Sequence, residues 1–310
     1  MKILDCTLRD GGFTKNFNWD FGFASRYYEL MTKFKIPYIE LGYWMQTSKS
    51  ENPFYNFNFD HLNKIVGKSD KQNVSIIIDY HYCNKDTSKY PKKFATPVSM
   101  IRMTARKEDF NEALIFSSKL KKATNLDISI QIINSTNYSK KELEDTVKEL
   151  VKHNFYYVYF ADSHGNLNLI SDYSNFEDSI SILKENNINV GFHLHNHTNR
   201  ALLNYYFCLE KKINITDTSI LGLGKGGGNL QLEHVIINEN LIELLNFIDQ
   251  EKANFDLKDN KFLYTIISGR LNITDNYAKE AISKNISLEN FYNKASELRG
   301  VERDTFKEIF

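Results

Sequence analysis

127-DISIQIINSTNYSKKELEDTVKELVKHNFYYVYFA-161 reads as strand, helix, strand. Its outer runs, 127–133 and 155–161, are short and rich in Ile, Val, Tyr and Phe, the composition of buried strands. Between them Ser139 and Glu142 have the spacing of a capping box. Leu143, Val147, Leu150 and Val151 then form one apolar stripe of an amphipathic helix. Two strands joined through a helix lie parallel in one sheet.

Working outward, the same alternation recurs. Further strands are predicted at 2–7, 38–42, 74–80, 98–103, 189–195 and 215–221. Helical patterns fall near 20–34, 58–67, 107–122, 172–186, 199–210 and 230–246. The segment between the third and fourth strands holds two of the chain's four prolines and predicts no regular helix. Eight strands in strict alternation predict an α/β fold, a parallel sheet closed into a (β/α)8 TIM barrel. A doubly wound open sheet is the alternative. Residues 256–310 read as helices only, with breaks at Gly269 and Gly300. The expected organisation is a TIM-barrel catalytic domain over 1–246 and a helical C-terminal extension over 247–310.

The 310 residues carry 39 basic and 39 acidic side chains, a formal charge of zero. That balance argues against a nucleic-acid binder, which usually shows a basic excess. No stretch approaches the roughly 20 apolar residues of a membrane span. The first twelve residues turn polar too early for a signal peptide. Cys6, Cys83 and Cys208 have no metal-like spacing, and an odd number of thiols reads as reduced. A cytoplasmic location is expected.

In a barrel the chemistry sits at the C-terminal ends of the strands. There the sequence offers Arg9 and Asp10, Glu40, Asp79 and His81, Arg102, Gln131 and Asn134, and Asp162, Ser163 and His164. His193, His195 and His197 follow on the seventh strand, and a glycine-rich run from Gly222 to Asn229 follows the eighth. His193 and His195, two apart on a strand, point to one face and can bind one metal. The bland reading is a polar strand end. Asp10 adds a carboxylate, and such a set leaves positions for water or substrate oxygens. Arg9 is a fixed positive charge for a developing oxyanion; alternatively, Arg9-Asp10 is a surface turn with a salt bridge. Lys225-Gly226-Gly227-Gly228-Asn229 suggests an anion cradle opening a helix, with Asn229 either capping that helix or offering its oxygen to the metal. His81, His164 and Lys225 are single candidates for proton transfer.

These residues resemble a known family. Leu8-Arg9-Asp10-Gly11-Gly12, His193-Leu194-His195 and Gly224-Lys225-Gly226-Gly227-Gly228-Asn229 look like the DRE-TIM metallolyase superfamily. That superfamily includes 4-hydroxy-2-oxovalerate aldolase, hydroxymethylglutaryl-CoA lyase, and the isopropylmalate and homocitrate synthases. The aldolase branch is the nearest likeness, through Cys6-Thr7-Leu8-Arg9-Asp10-Gly11, Ala161-Asp162-Ser163 and Gly226–Asn229. The resemblance covers about 2–245 and continues more weakly through 262–298.

The resemblance implies Asp10, His193 and His195 as ligands of Mn²⁺ or Mg²⁺, with Asn229 as a fourth. It implies Arg9 as the catalytic group beside the oxyanion of a pyruvate-like enolate held by that metal. Glu40 matches an acidic residue near the metal. Glu40, Ser163, Lys225 and Gly227 are the expected substrate contacts. The helical tail is expected to bind a partner dehydrogenase or a second copy of the chain. Three departures limit the transfer. The aldolase's base histidine is replaced by Phe13, the lyase's loop cysteine is missing from Lys225–Gly228, and Lys225-Gly226 stands where the synthases keep a glutamate-arginine pair. His81 and His164 are the substitutes taken for the base, with a metal-bound water as a third option.

The expected activity is a metal-dependent aldolase or lyase that makes or breaks a C–C bond next to a 2-oxo acid, with an aldehyde or acyl donor as the second reactant. A Claisen-type acyl-CoA synthase and a decarboxylase are rivals on the same barrel. A non-catalytic metabolite-binding barrel is the rival of another class, favoured by Phe13.

Overall fold

Eight parallel strands close into a barrel in the computed structural model, which describes residues 1–46, 51–67, 71–298 and 309–310. They are β1 (Lys2–Asp5), β2 (Tyr38–Tyr43), β3 (Val74–Asp79), β4 (Val98–Ala105), β5 (Asp127–Ile132), β6 (Tyr157–Asp162), β7 (Asn189–Leu194) and β8 (Ile215–Thr218). Each pairs with the next, and β8 returns to β1 with Leu4 beside Asp217 and Asp5 beside Thr218. This is the predicted (β/α)8 barrel. The described residues form two compact units, Met1–Leu232 and Glu233–Phe310.

The expected local signals operate. Ser139 caps the helix Lys140–Val151, accepting from the backbone N–H of Glu142 at 3.3 Å, while Glu142 accepts from the N–H of Ser139 at 2.8 Å. Leu143, Val147 and Leu150 are buried. Between β3 and β4 the described residues hold only a 3-10 turn, Thr87–Lys89, as the prolines implied.

β1 is shorter than the predicted 2–7. The Asp5 carboxylate accepts from the Thr7 N–H and hydroxyl, both at 3.0 Å, and this turn starts a single helical turn, Thr7–Asp10. Arg9 and Asp10 therefore sit in the mouth of the barrel.

Period-two alternation stacks the interior in layers. On the even strands Tyr38, Met100, Tyr157 and Ile215 lie in one buried apolar cluster with Leu4, Cys6 and Tyr159. Two residues further along three of the same strands come Glu40, Arg102 and Asp217, all buried. The apolar floor thus carries a charged layer, and the mouth opens above it.

In the second unit the described helices are Asn238–Gln250, Lys261–Leu271, Asn276–Ser283 and Leu288–Ser296. Arg270 donates to the carbonyls of His234 at 2.9 Å and Ile236 at 2.7 Å. Gly269, expected as a break, lies inside Lys261–Leu271, where the helical backbone runs through it. The expected break at Gly300 lies outside the described residues. Among the described residues no helix is long and apolar enough to cross a membrane.

Candidate active site and metal centre

A cavity of about 310 Å³ opens at the C-terminal ends of the strands. Arg9, Asp10, Ser163, His193, His195 and Lys225 all line it. Carboxylate and imidazole donor atoms of Asp10, His193 and His195 lie within 4.8 Å of one another.

Both imidazoles are oriented from behind. His193 Nδ1 lies 2.8 Å from Asp217 Oδ2, and His195 Nδ1 lies 3.1 Å from the Gly228 carbonyl. Each acceptor fixes the proton on Nδ1 and leaves Nε2 as a lone-pair donor, the arrangement that metal-binding histidines use. His193 Nε2 stands 4.0 Å from Asp10 Oδ2, beyond hydrogen-bond reach. Burial, then the neighbouring His193, pushes His195 down to about 4, so this imidazole is neutral at pH 7. Burial alone would raise the Asp10 carboxyl. Arg9, His193, His195 and the Asn229 amide outweigh it and hold Asp10 well below the usual carboxylate range.

Two further observations fit a cation. Asn229 donates through Nδ2 to Asp10 Oδ2 at 2.7 Å and to the Leu223 carbonyl at 3.0 Å, while its buried Oδ1 has no hydrogen-bond partner. A Cβ on Gly224 would come within 2.3 Å of Asn229 Nδ2 and 2.6 Å of Asp10 Oδ2, so only glycine lets the loop close over this corner. The donor set therefore fits a divalent ion, held by Asp10, His193 and His195 with the Asn229 oxygen in reserve. Cys6, His193 and Asp217 also converge within 4.8 Å. That set is weaker: burial pushes the Cys6 thiol up, its Sγ donates to the Thr218 carbonyl, and Asp217 is engaged by Arg102.

Beneath the donors runs a chain of buried charges. Arg9 bridges Asp10 and Glu40 at 2.5 Å each. Arg102 bridges Glu40 at 3.0 Å and Asp217 at 2.5 Å, and lies over the Tyr159 ring. Asp217 then returns to His193. Removing one member of such a network costs roughly 3–5 kcal/mol, whereas an apolar replacement of the whole would cost little or nothing. Stability alone does not explain it, and its place directly beneath the donors ties it to the site. Three carboxylates against two guanidiniums leave a formal charge of −1, which a dication would reverse.

The structure corrects several expected roles. Glu40 is fully buried, engaged by Arg9 and Arg102, and is not among the residues that line the cavity, where a substrate contact was expected. His81 is exposed, turned outward with Nδ1 3.5 Å from Asp109; Asp79 lines the cavity in its stead. His164 is exposed at a turn and does not line the cavity. Gly227 packs against His197, away from the lining. Contrary to expectation, the glycine-rich run does not open directly into a long helix. Asn229 bridges His195, the helix that follows is only Leu232–Val235, and Gly228, at φ +79°, presents its carbonyl to His195. Asp217, Tyr43 and Arg106 escape the sequence reading as site residues, and Arg102, found there at a strand end, carries no assigned role in it. Inward alternation from Ile215 would have found Asp217.

The profile of the HMGL-like family matches residues 1–253. Oxaloacetate decarboxylase of Mycobacterium tuberculosis is 21% identical over 236 residues, 76% of this chain and 68% of that protein. Among solved structures, the N-terminal domain of a candidate aldolase from Bacteroides vulgatus superposes with a TM-score of 0.66 at 20% identity, covering 94% of this chain and 99% of that one. Hydroxymethylglutaryl-CoA lyase of Pseudomonas aeruginosa gives 0.63 at 16% identity, covering 84% and 94%.

Proposed function

The chain belongs to the HMGL-like family, and on that premise we propose a divalent-metal-dependent carbon–carbon lyase of the aldolase type, acting next to the oxo group of a 2-oxo acid. The observation that carries this reading is Asp10, His193 and His195 converging beside Arg9 in one cavity. The oxygen and nitrogen donors suit Mn²⁺ or Mg²⁺. Such an ion supplies Lewis-acid polarisation of the substrate's oxygens.

The chain's own residues do the rest. Arg9 lines the cavity as a permanent cation whose guanidinium is fixed by Asp10 and Glu40. Burial lowers its pKa, but Glu40 and Asp10 more than offset that, so it stays charged. A pre-fixed donor facing a developing oxyanion needs no reorganisation during the reaction. Tyr43, 5.7 Å from Arg9 across its ring, closes one wall. Lys225, with Nζ 5.8 Å from the Phe13 ring, lines the mouth, where it can hand a proton to the enolate carbon once the C–C bond has broken.

One observation favours decarboxylation as a second reading. His81 and His164 lie off the cavity, and loss of CO₂ beside an oxo group needs no base on a hydroxyl. The M. tuberculosis relative's name points the same way.

Exchange of pyruvate methyl protons with deuterated water tests the common core. Exchange that depends on Mn²⁺ and is lost in Arg9→Met supports it. No metal-dependent exchange across several 2-oxo acids favours the non-catalytic binding barrel. Mass balance separates the two lyase readings, since only one releases CO₂.

A further inference from the structure

The second guanidinium at the cavity wall is that of Arg106, just beyond the end of β4. The metal-type donors come from the turn after β1 and from β7. β4 is separated from them by β2 and β3 on one side and by β5 and β6 on the other. Arg106 therefore stands across the mouth from Asp10 and His193. Its Nη2 is 3.2 Å from Asp79 Oδ2, and its guanidinium lies 5.1 Å over the Tyr82 ring. Both partners of the ion pair remain accessible, at 28% and 23% side-chain exposure. A pair this accessible is worth only about 0–1 kcal/mol, so stability gives little reason for it. Arg106 also lines a second, adjoining cavity of about 290 Å³, shared with Ile133 and Asn134.

We propose that Arg106 anchors a second carboxylate of the substrate, so that the 2-oxo acid handled here is a dicarboxylate spanning the mouth from Arg9 to Arg106. This rests on the lyase reading above. A guanidinium offers five N–H donors in a fork that matches a carboxylate, and Asp79 uses only part of that set. Asp79 and Tyr82 hold the fork in place before ligand arrives. Asp79 also sets the class of ligand. It cancels part of the positive charge, which favours a monoanionic carboxylate over a phosphate dianion. Asn134 and Thr104, on the same wall, add neutral hydrogen-bonding groups.

The test uses the full chain loaded with Mn²⁺ and calorimetric titration with malate, lactate and β-malamate, in which the distal carboxylate is an amide. The unmodified protein is expected to bind malate about ten- to hundredfold more tightly than lactate or β-malamate. Arg106→Met should abolish that preference, and Arg106→Lys should keep part of it. Equal affinity of malate and β-malamate for the unmodified protein overturns the proposal without any variant. So does an Arg106→Met protein with an unchanged melting temperature and an intact malate preference. Oxalate, which lacks a distal arm, reads the other assignment: if it binds the unmodified protein no better with Mn²⁺ than without, the lyase reading fails, whatever Arg106 does.

Discussion

Asp217 accepts from Nδ1 of His193 at 2.8 Å and with the same oxygen takes Arg102 Nη2 at 2.5 Å. One buried carboxylate thereby orients a candidate metal ligand and neutralises the guanidinium at the centre of the charged layer. Burial would raise its pKa, but Arg102 and His193 overcome that and leave it lowered. Asp217→Asn is expected to weaken Mn²⁺ binding about 10–100-fold. It should also lower stability by about 3 kcal/mol, because Arg102 loses a charged partner in the interior. Metal titration and denaturant unfolding read the two effects separately.

Gly224→Ala probes the closure of the loop over Asp10. The added Cβ would meet Asn229 Nδ2 at 2.3 Å and Asp10 Oδ2 at 2.6 Å. Both atoms belong to the donor corner, so the loss should appear in metal affinity, by about tenfold or more. A melting curve would show a much smaller change than the Asp217 variant gives. Unaltered Mn²⁺ affinity would mean that the loop can relax without moving Asp10.

The barrel and the ligand set were legible because each is written locally. Strand and helix periods are short-range, and Asp10, His193 and His195 sit in motifs at strand ends. Asp217 has no motif. Its importance arises only when β8 pairs with β7 and β1, which brings it under His193 from 24 residues away. The resemblance makes Glu40 an acidic residue near the metal and an expected substrate contact. It lies one layer down, where its two oxygens are taken by two arginines. His81 and His164 show the opposite limit. A residue just past a strand end is near the site, but the turn decides where its side chain points, and these two point outward.

Asp5 gives a pH prediction that does not depend on the metal. Burial, the largest effect, raises its carboxyl from 3.8 to about 6, despite the hydroxyl donors Tyr27 and Thr7 that pull it down. A folded-state pKa above the unfolded value favours the protonated form in the fold. This contribution is fully present below about pH 4 and is lost as pH rises through about 6. A shift of this size corresponds to roughly 3 kcal/mol. Asp5→Asn should flatten the loss of unfolding free energy between those pH values. An unchanged slope in the variant would remove Asp5 as its source.

The central claim is that Asp10, His193 and His195 together hold a divalent cation. Titration of the purified, chelator-treated protein with Mn²⁺, following free Mn²⁺ by electron paramagnetic resonance, tests it directly. The account predicts one Mn²⁺ per chain, with affinity reduced by at least about a hundredfold in Asp10→Asn and in the His193→Ala, His195→Ala double variant. Variants that bind Mn²⁺ as tightly as the unmodified chain would contradict it.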